Sequence, residues 1–227
     1  MTPASAPATA FGGRVVMIGC GSIGQAILPL LRRHIGFAAD GLTVLSADER
    51  GRGTATAQGA RFVHCHLKPG SFHRELGRHL RAGDLLLNLS VDVSSLDLVE
   101  WCAEHDVLYV DTSIEPWPGV FDNPMLSLRE RTNFLTRERM LRLGQRLGRD
   151  SPTAIVDHGA NPGLVSHFVK HGLLDLARDL RPEAAPPASR EDWARLARDL
   201  GVVLLQVSER DTQAAERPKR PNEFVNT

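Results

Sequence analysis

The sequence predicts an α/β protein: a Rossmann-type, doubly wound parallel sheet followed by the beginning of a second α/β domain. Three observations lead to this prediction. Short apolar runs alternate with amphipathic stretches, the first run leads directly into a glycine-rich turn, and 227 residues exceed one ordinary domain without filling two. We therefore expect a flexible tail over residues 1–12, a dinucleotide-binding domain over residues 13–160, and an incomplete substrate or dimerisation domain over residues 161–227.

The apolar runs are predicted to be the strands of the sheet. Those of the first domain cover residues 14–18, 42–47, 61–65, 84–89 and 107–110. They are almost continuously apolar, as is typical of parallel strands with helices on both faces. The helical patterns between them cover residues 22–34, 71–81 and 94–104. Beyond them, the sequence predicts helices over residues 126–147, 164–176 and 191–200, and strands over residues 153–157 and 201–208.

Composition and charge exclude several classes of function. The 27 basic residues equal the 27 acidic ones, so the sequence predicts no nucleic-acid partner. No apolar run approaches the ~20 residues of a membrane span, and the N-terminal residues lack the pattern of a signal peptide. The cysteines Cys20, Cys65 and Cys102 are scattered and odd in number. This pattern indicates neither disulfides nor a zinc site, so we expect a cytoplasmic protein without a metal.

A G-x-G-x-x-G motif follows the first predicted strand and opens the first helix. Gly19 would permit the tight turn, Gly21 would let the backbone approach a pyrophosphate, and Gly24 would let the helix pack on the strand. Ser22 and Ile23 begin the helix, whose N-terminal N–H groups favour an anion. The motif therefore predicts a dinucleotide site; the alternative is a glycine turn without a ligand.

An acidic residue at the end of the second strand is the next feature of such a site. Asp48 lies there, where a carboxylate would bind the ribose hydroxyls and repel a 2′-phosphate. This position favours NAD over NADP. Arg50 and Arg52 follow closely, however, and would favour the opposite choice.

Polar residues also follow the later strands, where the carboxyl ends of a doubly wound sheet line a ligand crevice. We predict that Asn88, Ser90, Asp111 and Thr112 contact the cofactor and that Asp92 lies on the substrate side. For Asp92 and Asp111, the alternative role is to cap a helix or a turn.

The remaining candidates come from three further loops. The turn after the sixth strand contains Ala160, a predicted cofactor neighbour, and Asn161, whose amide is suited to a substrate nitrogen or the nicotinamide carboxamide. Asn161 is otherwise a residue that shapes the turn. Glu115 and Trp117 together suit an ammonium ligand through ion pairing and cation–π contact, although Trp117 is equally suited to the core. Glu209 ends the last predicted strand.

Five motifs in this order resemble a known family. They are GCGSIGQAILPLL, LSVDVSS, DTSIEPWPG, HGANPGLVSHFVK and ERDTQ. The sequence from about Gly13 onward resembles the bacterial homospermidine synthases, which belong to the wider saccharopine dehydrogenase-like group. The resemblance implies an NAD-binding Rossmann domain and a second α/β domain that supports a homodimer.

The resemblance also implies a reaction. NAD takes a hydride from putrescine to give an imine, a second diamine such as putrescine or spermidine replaces ammonia, and the hydride returns. By resemblance, Asp92, Asn161 and Glu209 are ligands of the diamine or imine, whereas the glycine motif and Asp48 hold NAD. Two alternatives remain: a reductase of the saccharopine or carboxynorspermidine type, and a non-catalytic NAD-binding fragment. The family's chains are roughly twice as long, so we expect a truncated chain.

Overall fold

The protein, described here from a computed structural model, divides into two compact units, Met1–Leu164 and Val165–Thr227. The structure describes residues 9–183, 185–208, 218, 220 and 221. In chain order, the strands are β1 (Thr9–Ala10), β2 (Val15–Ile18), β3 (Ile35–Gly36), β4 (Leu42–Ser46), β5 (Arg61–His64), β6 (Leu85–Asn88), β7 (Leu108–Asp111) and β8 (Ala154–Ile155). The first unit ends a few residues beyond the predicted boundary at residue 160.

Six of these strands form one parallel sheet in the order β5-β4-β2-β6-β7-β8. The helices are α1 (Ser22–His34), α2 (Arg52–Ala57), α3 (Phe72–His79), α4 (Ser95–Glu104), α5 (Asn133–Leu147), α6 (Leu164–Leu180) and α7 (Arg190–Asp199). The chain runs outward from β2 to one edge and then from β6 to the other edge. The predicted Rossmann-type sheet is confirmed. No helix in the described ranges is long and apolar enough to cross a membrane.

Helices cover both faces of the sheet. Successive side chains of a strand point to opposite faces, so one central strand contributes to a core on each side. Val15 and Met17 of β2 belong to an apolar cluster with Leu28 of α1. Val16, between them, belongs to a second cluster with Leu98 of α4. Burial of one such leucine contributes about 1.5–3 kcal/mol to stability. This two-sided burial explains why the strands are almost continuously apolar.

The amino ends of the two central strands are tied by a buried carboxylate. Asp84, directly before β6, accepts hydrogen bonds from the backbone N–H groups of Arg14 and Arg81, both at 2.8 Å. Its Oδ2 also accepts from the guanidinium of Arg14, at 3.0 Å from Nε and 2.6 Å from Nη2. The carboxylate therefore fixes β2 against β6 at the end of the sheet opposite the glycine turn.

The long helix predicted over residues 126–147 is too long at its start. It begins at Asn133, where the side chain of Thr132 accepts the N–H of Leu135 and caps the first turn. Before it, the Glu130 carboxylate accepts the N–H and the hydroxyl of Ser127, which closes a separate turn. Hydrogen bonds between side chains and the backbone therefore outweigh the apolar periodicity in this segment.

Two more predictions differ from the structure. The strand predicted over residues 201–208 is wrong: the described residues there form no ladder, and the side chain of Val203 is 97% exposed. Without a partner strand, the backbone N–H and C=O groups of this apolar run form no ladder of hydrogen bonds. The predicted tail is also too long, because β1 pairs with β3 and Phe11 packs against the core.

Candidate functional site

The glycine turn connects β2 to α1 at the point where the strand order reverses. Gly19 has φ +88°, and a Cβ atom placed on it would lie 2.7 Å from the backbone oxygen of Leu89. A Cβ atom on Gly24 would lie 2.8 Å from the backbone oxygen of Gly19. The backbone thus approaches itself too closely at both positions for any side chain. Gly19 thus has the left-handed backbone of the predicted tight turn, and Gly24 permits the predicted close packing of α1 on the end of β2.

Gly21 differs from the other two glycines because the space above it is open. A Cβ atom on Gly21 would meet nothing within 4 Å. It is the N-cap residue of α1, and no side chain caps this helix. Ser22 and Ile23, which follow it, are exposed. Uncapped N–H groups and the positive end of the helix dipole are suited to a phosphate.

A cavity of about 230 Å³ lies beside this turn, at the carboxyl ends of four strands. Five of the predicted site residues line it: Gly19, Gly21, Asp48, Ser90 and Asp92. Sequence reasoning did not assign Cys20, Cys65 and His66, which also line the cavity. His66 and Cys65 come directly after β5, so the rule applied to the other strand ends would have found them. The sheet therefore brings the glycine turn and two predicted acidic residues to one cavity.

Asp48 lies at the rim of this cavity and is paired with Arg50. The carboxylate accepts the backbone N–H of Arg50 at 2.9 Å, its Nε at 3.1 Å and its Nη2 at 2.6 Å. Both side chains are substantially exposed, at 46% for Asp48 and 84% for Arg50. The hydrogen bonds from Arg50 lower the pKa of Asp48. The predicted ribose ligand is therefore ionised and already has a cationic neighbour.

Two predicted cofactor residues, Asn88 and Asp111, lie inside the protein. They are register partners on β6 and β7, and both are buried. The Asn88 amide donates to the hydroxyl of Tyr109 at 3.2 Å, and that hydroxyl donates to Asp111 Oδ2 at 2.8 Å. The Asn88 oxygen accepts from the hydroxyl of Ser90 at 2.6 Å. The described hydrogen bonds of the Asn88 and Asp111 side chains are thus made inside the protein, and their contact with a cofactor stays a prediction.

Asp111 also holds together the loops that follow β7 and β8. Its Oδ1 accepts the N–H of Asp157 at 2.7 Å, and the carboxylate of Asp157 accepts the N–H of Ile114 at 2.9 Å. Burial raises the pKa of Asp111 to about 6, against the opposing effect of its hydrogen bonds from Asp157 and Tyr109. The two loops that carry Glu115 and Asn161 therefore depend on one buried carboxyl group.

This raised pKa predicts how stability depends on pH. Between pH 3.8, the ordinary pKa, and about 6, the folded protein keeps a proton on Asp111 that the unfolded chain has released. The contribution of Asp111 to stability should therefore fall as the pH rises through this range and stay constant above it. Relative to Asp111→Asn, which does not titrate, the wild-type free energy of unfolding should fall by about 2 kcal/mol between pH 4 and pH 7. Urea unfolding of both proteins from pH 4 to 7 measures this, and a constant difference would contradict it.

The acidic residues Asp92 and Glu115 lie together beyond the carboxyl ends of β6 and β7. Asp92, at φ +62°, is exposed and lines the cavity. Burial raises the pKa of Glu115, and the neighbouring charges of Asp92 and Asp157 raise it further. Three neighbouring carboxyl groups give this region a negative potential when they are ionised, which favours a cation.

Two other predicted site residues, Trp117 and Asn161, are not among the described residues that line the cavity. The indole N–H of Trp117 donates to Asp97, and its ring lies 5.5 Å from that of Phe72 against the core. Trp117 is thus half-buried against the core, and its contact with an ammonium ligand stays a prediction. Asn161 is exposed in the loop between β8 and α6, and Glu209 lies outside the described residues.

Two further cofactor candidates lie outside the cavity lining. Thr112 is half-buried directly after β7, and Ala160 is exposed beside Asn161. Neither is among the residues that line the cavity. Within the residues that the structure describes, no cluster of three or more His, Cys, Asp or Glu side chains is arranged to hold a metal ion.

Comparison with known proteins identifies the family. The family described as the saccharopine dehydrogenase NADP-binding domain matches residues 15–155, which include the whole six-stranded sheet. The chain belongs to this family. The resemblance predicted from the motifs is thereby confirmed, and the glycine turn and cavity occupy the centre of a saccharopine dehydrogenase-type domain.

Two relatives of this saccharopine dehydrogenase-type chain are homospermidine synthases. The chain is 44% identical over 218 residues to the one of Blastochloris viridis, and 40% identical over 223 residues to the one of Mesorhizobium japonicum. These matches cover 95% of this chain but only 46% and 45% of the relatives. The chain therefore spans about half the length of the curated relatives it matches.

A solved structure shows the same arrangement. The homospermidine synthase of Legionella pneumophila, crystallised in complex with NAD, superimposes with a TM-score of 0.81 at 33% identity. The match covers 93% of this chain and 43% of that chain. The fold described above is thus the fold of the matching part of that protein.

Proposed function

We propose that this chain is the cofactor-binding portion of a homospermidine synthase that acts with NAD on putrescine and related diamines. The observation that carries the proposal is the cavity in which the open glycine turn, Asp48 and Asp92 meet. The identity of 40–44% to two homospermidine synthases supports it. The NAD in the crystals of the Legionella relative supports the choice of cofactor.

The residues of this chain fit a dinucleotide at the glycine turn. Gly21 has no atoms above it, and the first turn of α1 lacks a side-chain cap, so the turn would hold a pyrophosphate. Asp48 retains carboxylate lone pairs that are able to accept ribose hydroxyls. When bound, NAD would supply a hydride acceptor for the carbon that carries the substrate amine.

The charges beside this cavity favour an amine substrate. Asp92 and Glu115 would attract the ammonium groups of a diamine, and burial raises the pKa of Glu115, which would favour a role as a proton donor. Asn161 would present its amide to a substrate nitrogen. A reductase that acts on a carboxylate-bearing substrate needs a cation here instead. Arg50 is the arginine lining the described cavity, and it lies on the Asp48 side.

The reaction itself is tested with the purified chain, putrescine and NAD⁺. Mass spectrometry should detect homospermidine, and the NAD added should not be consumed, because the hydride is returned. Bound NAD without product would mean that this chain is a non-catalytic nucleotide-binding portion. Accumulation of NADH in proportion to an oxidised product would instead favour the alternative, a reductase of the saccharopine or carboxynorspermidine type.

The role of Asp48 is tested separately by calorimetry. Asp48→Ala should weaken NAD binding by about tenfold or more, because hydrogen bonds from the ribose hydroxyls to a charged acceptor are lost. Asp40→Ala, which removes an exposed acid from a turn outside the cavity, is the control and should leave binding unchanged. Equal affinities for wild type and Asp48→Ala would reject the ribose role.

A further inference from the structure

The second unit contains a cavity of its own, which the proposed function does not use. It lies between α6, α7 and the segment that joins the two helices, and its volume is about 310 Å³. Ligand sites in proteins have volumes of roughly 300–1,000 Å³, so this cavity is of the size that takes a small molecule. Apart from two arginines, the described residues that line it are leucines, alanines and prolines.

The apolar lining comes from the helices and from the joining segment. Ala177 of α6 and Leu196 of α7 are buried members of the apolar cluster between these helices, so the cavity opens directly onto that cluster. Pro182, Pro186 and Pro187 of the joining segment also line it. Proline has no backbone N–H group, so this part of the lining offers few hydrogen-bond donors. The lining therefore favours a ligand with an apolar body.

Hydrogen bonds fix the joining segment at both of its ends. At its start, the N–H of Arg181 donates to the carbonyl oxygen of Ala177 at 2.7 Å. At its end, Ser189 and Asp192 form a capping box: the Asp192 carboxylate accepts the N–H of Ser189 at 3.0 Å, and the Ser189 hydroxyl accepts the N–H of Asp192 at 3.1 Å. Because proline also restricts φ, the lining is largely preorganised, which lowers the entropic cost of binding a ligand.

The charged residues among those that line the cavity are Arg178 and Arg181. Their guanidinium groups lie 3.1 Å from Asp175 and 3.8 Å from Asp199, and neither acid is among the described lining residues. The arginine side chains are 70% and 47% exposed. Ion pairs at such positions are weak, and each guanidinium has five N–H donors, so both arginines are able to bind a further anion.

We propose that this cavity binds a small carboxylate that carries an apolar chain. Arg178 and Arg181 hold the carboxylate, whose two oxygens match the fork of N–H groups on a guanidinium. The apolar chain lies against Ala177, Leu196 and the prolines. The cavity is formed within the second unit, so this inference does not depend on the proposed function.

The test is to titrate the purified, ¹⁵N-labelled 227-residue chain with hexanoate and to follow the amide resonances by NMR. Hexan-1-ol and hexylammonium are the neutral and cationic probes of the same chain length. Hexanoate should shift the resonances of Ala177, Arg181 and Leu196 saturably, with a dissociation constant about tenfold or more below those of the other two probes. Arg178→Ala and Arg181→Ala should each raise that constant about fivefold, because each removes a charged donor at a partly exposed site.

Arg195 provides a matched control on α7. It is paired with Asp192 at 3.3 Å, three residues away in the helix, just as Arg178 is paired with Asp175. Its side chain is 60% exposed, and it is not among the described residues that line the cavity. Arg195→Ala therefore removes the same charge from the same unit, and the dissociation constant of hexanoate should stay within about twofold of that of wild type.

Three results would overturn the inference. The first is the absence of saturable shifts at the cavity with hexanoate. The second is equal affinity for hexanoate and hexan-1-ol, which would mean that the arginines do not recognise the carboxylate. The third is an equal loss of affinity in Arg178→Ala, Arg181→Ala and Arg195→Ala, which would mean that hexanoate responds to the overall charge of the unit. All three would leave the tests of NAD binding and of homospermidine formation unaffected.

Discussion

Gly21→Val is expected to abolish nucleotide binding while leaving the protein folded. The valine side chain would occupy the open space above the turn, where the backbone must approach the pyrophosphate, so the affinity for NAD should fall by about a hundredfold or more. The backbone of Gly21, at φ −74° and ψ −159°, is extended and is accessible to valine. Loss of a favourable N-cap residue should lower stability by no more than about 1 kcal/mol. Calorimetry and urea unfolding measure the two effects.

The matched control for this variant is Gly77→Val. Gly77 lies in α3, and a Cβ atom there would also meet nothing within 4 Å. This variant adds the same side chain at an open position away from the cavity, so NAD affinity should be unchanged. If Gly21→Val bound NAD as tightly as Gly77→Val, the turn would not be the pyrophosphate site.

Gly19→Ala should have the opposite effect and destabilise the fold itself. Its Cβ atom would lie 2.7 Å from the Leu89 oxygen and 2.9 Å from the Ser90 nitrogen, both of them backbone atoms of the neighbouring strand end. A positive φ costs alanine about 1–2 kcal/mol, and overpacking against the backbone costs about 1–3 kcal/mol more. The free energy of unfolding should therefore fall by about 2–5 kcal/mol, measured by urea denaturation.

Gly83→Ala separates these two costs. Gly83 also has a positive φ, +82°, but a Cβ atom there would meet nothing within 4 Å. It should therefore show only the conformational cost of about 1–2 kcal/mol. Equal destabilisation of the two variants would show that the close approach of Gly19 to Leu89 contributes nothing.

The first domain was predictable because its inner strands β2, β4 and β6 are buried on both faces and are therefore continuous apolar runs. All six predicted strands, including the more exposed edge strands β5 and β8, agree with the structure within the usual margin at element ends. The short helix α2 was missed because its sequence, RGTATA, has no apolar periodicity. The strand predicted over residues 201–208 failed for the opposite reason: its pattern is apolar, but the described residues provide no partner strand.

The local sequence predicted the position of the candidate site, but it did not show which polar residues at the strand ends face the cavity and which are buried. The motif correctly placed Gly19, Gly21 and Asp48 at one cavity, because strand, turn and helix are consecutive in the chain. It could not show that Asp111 is turned inward, since this depends on Tyr109 beneath it and on the N–H of Asp157, far along the chain. Contacts between distant segments, rather than residue types, decide which strand-end polar groups face a ligand.

The Arg14–Asp84 pair has a consequence for how this sheet can change over time. It fastens β2 to β6 at their amino ends, whereas Gly19 and Asp48 lie at the carboxyl ends. This ion pair and the proposed ribose contact of Asp48 therefore lie at opposite ends of the sheet. A substitution of Asp48 leaves the fastening of β2 to β6 intact, so its effect on binding can be measured on a sheet whose amino end is unchanged.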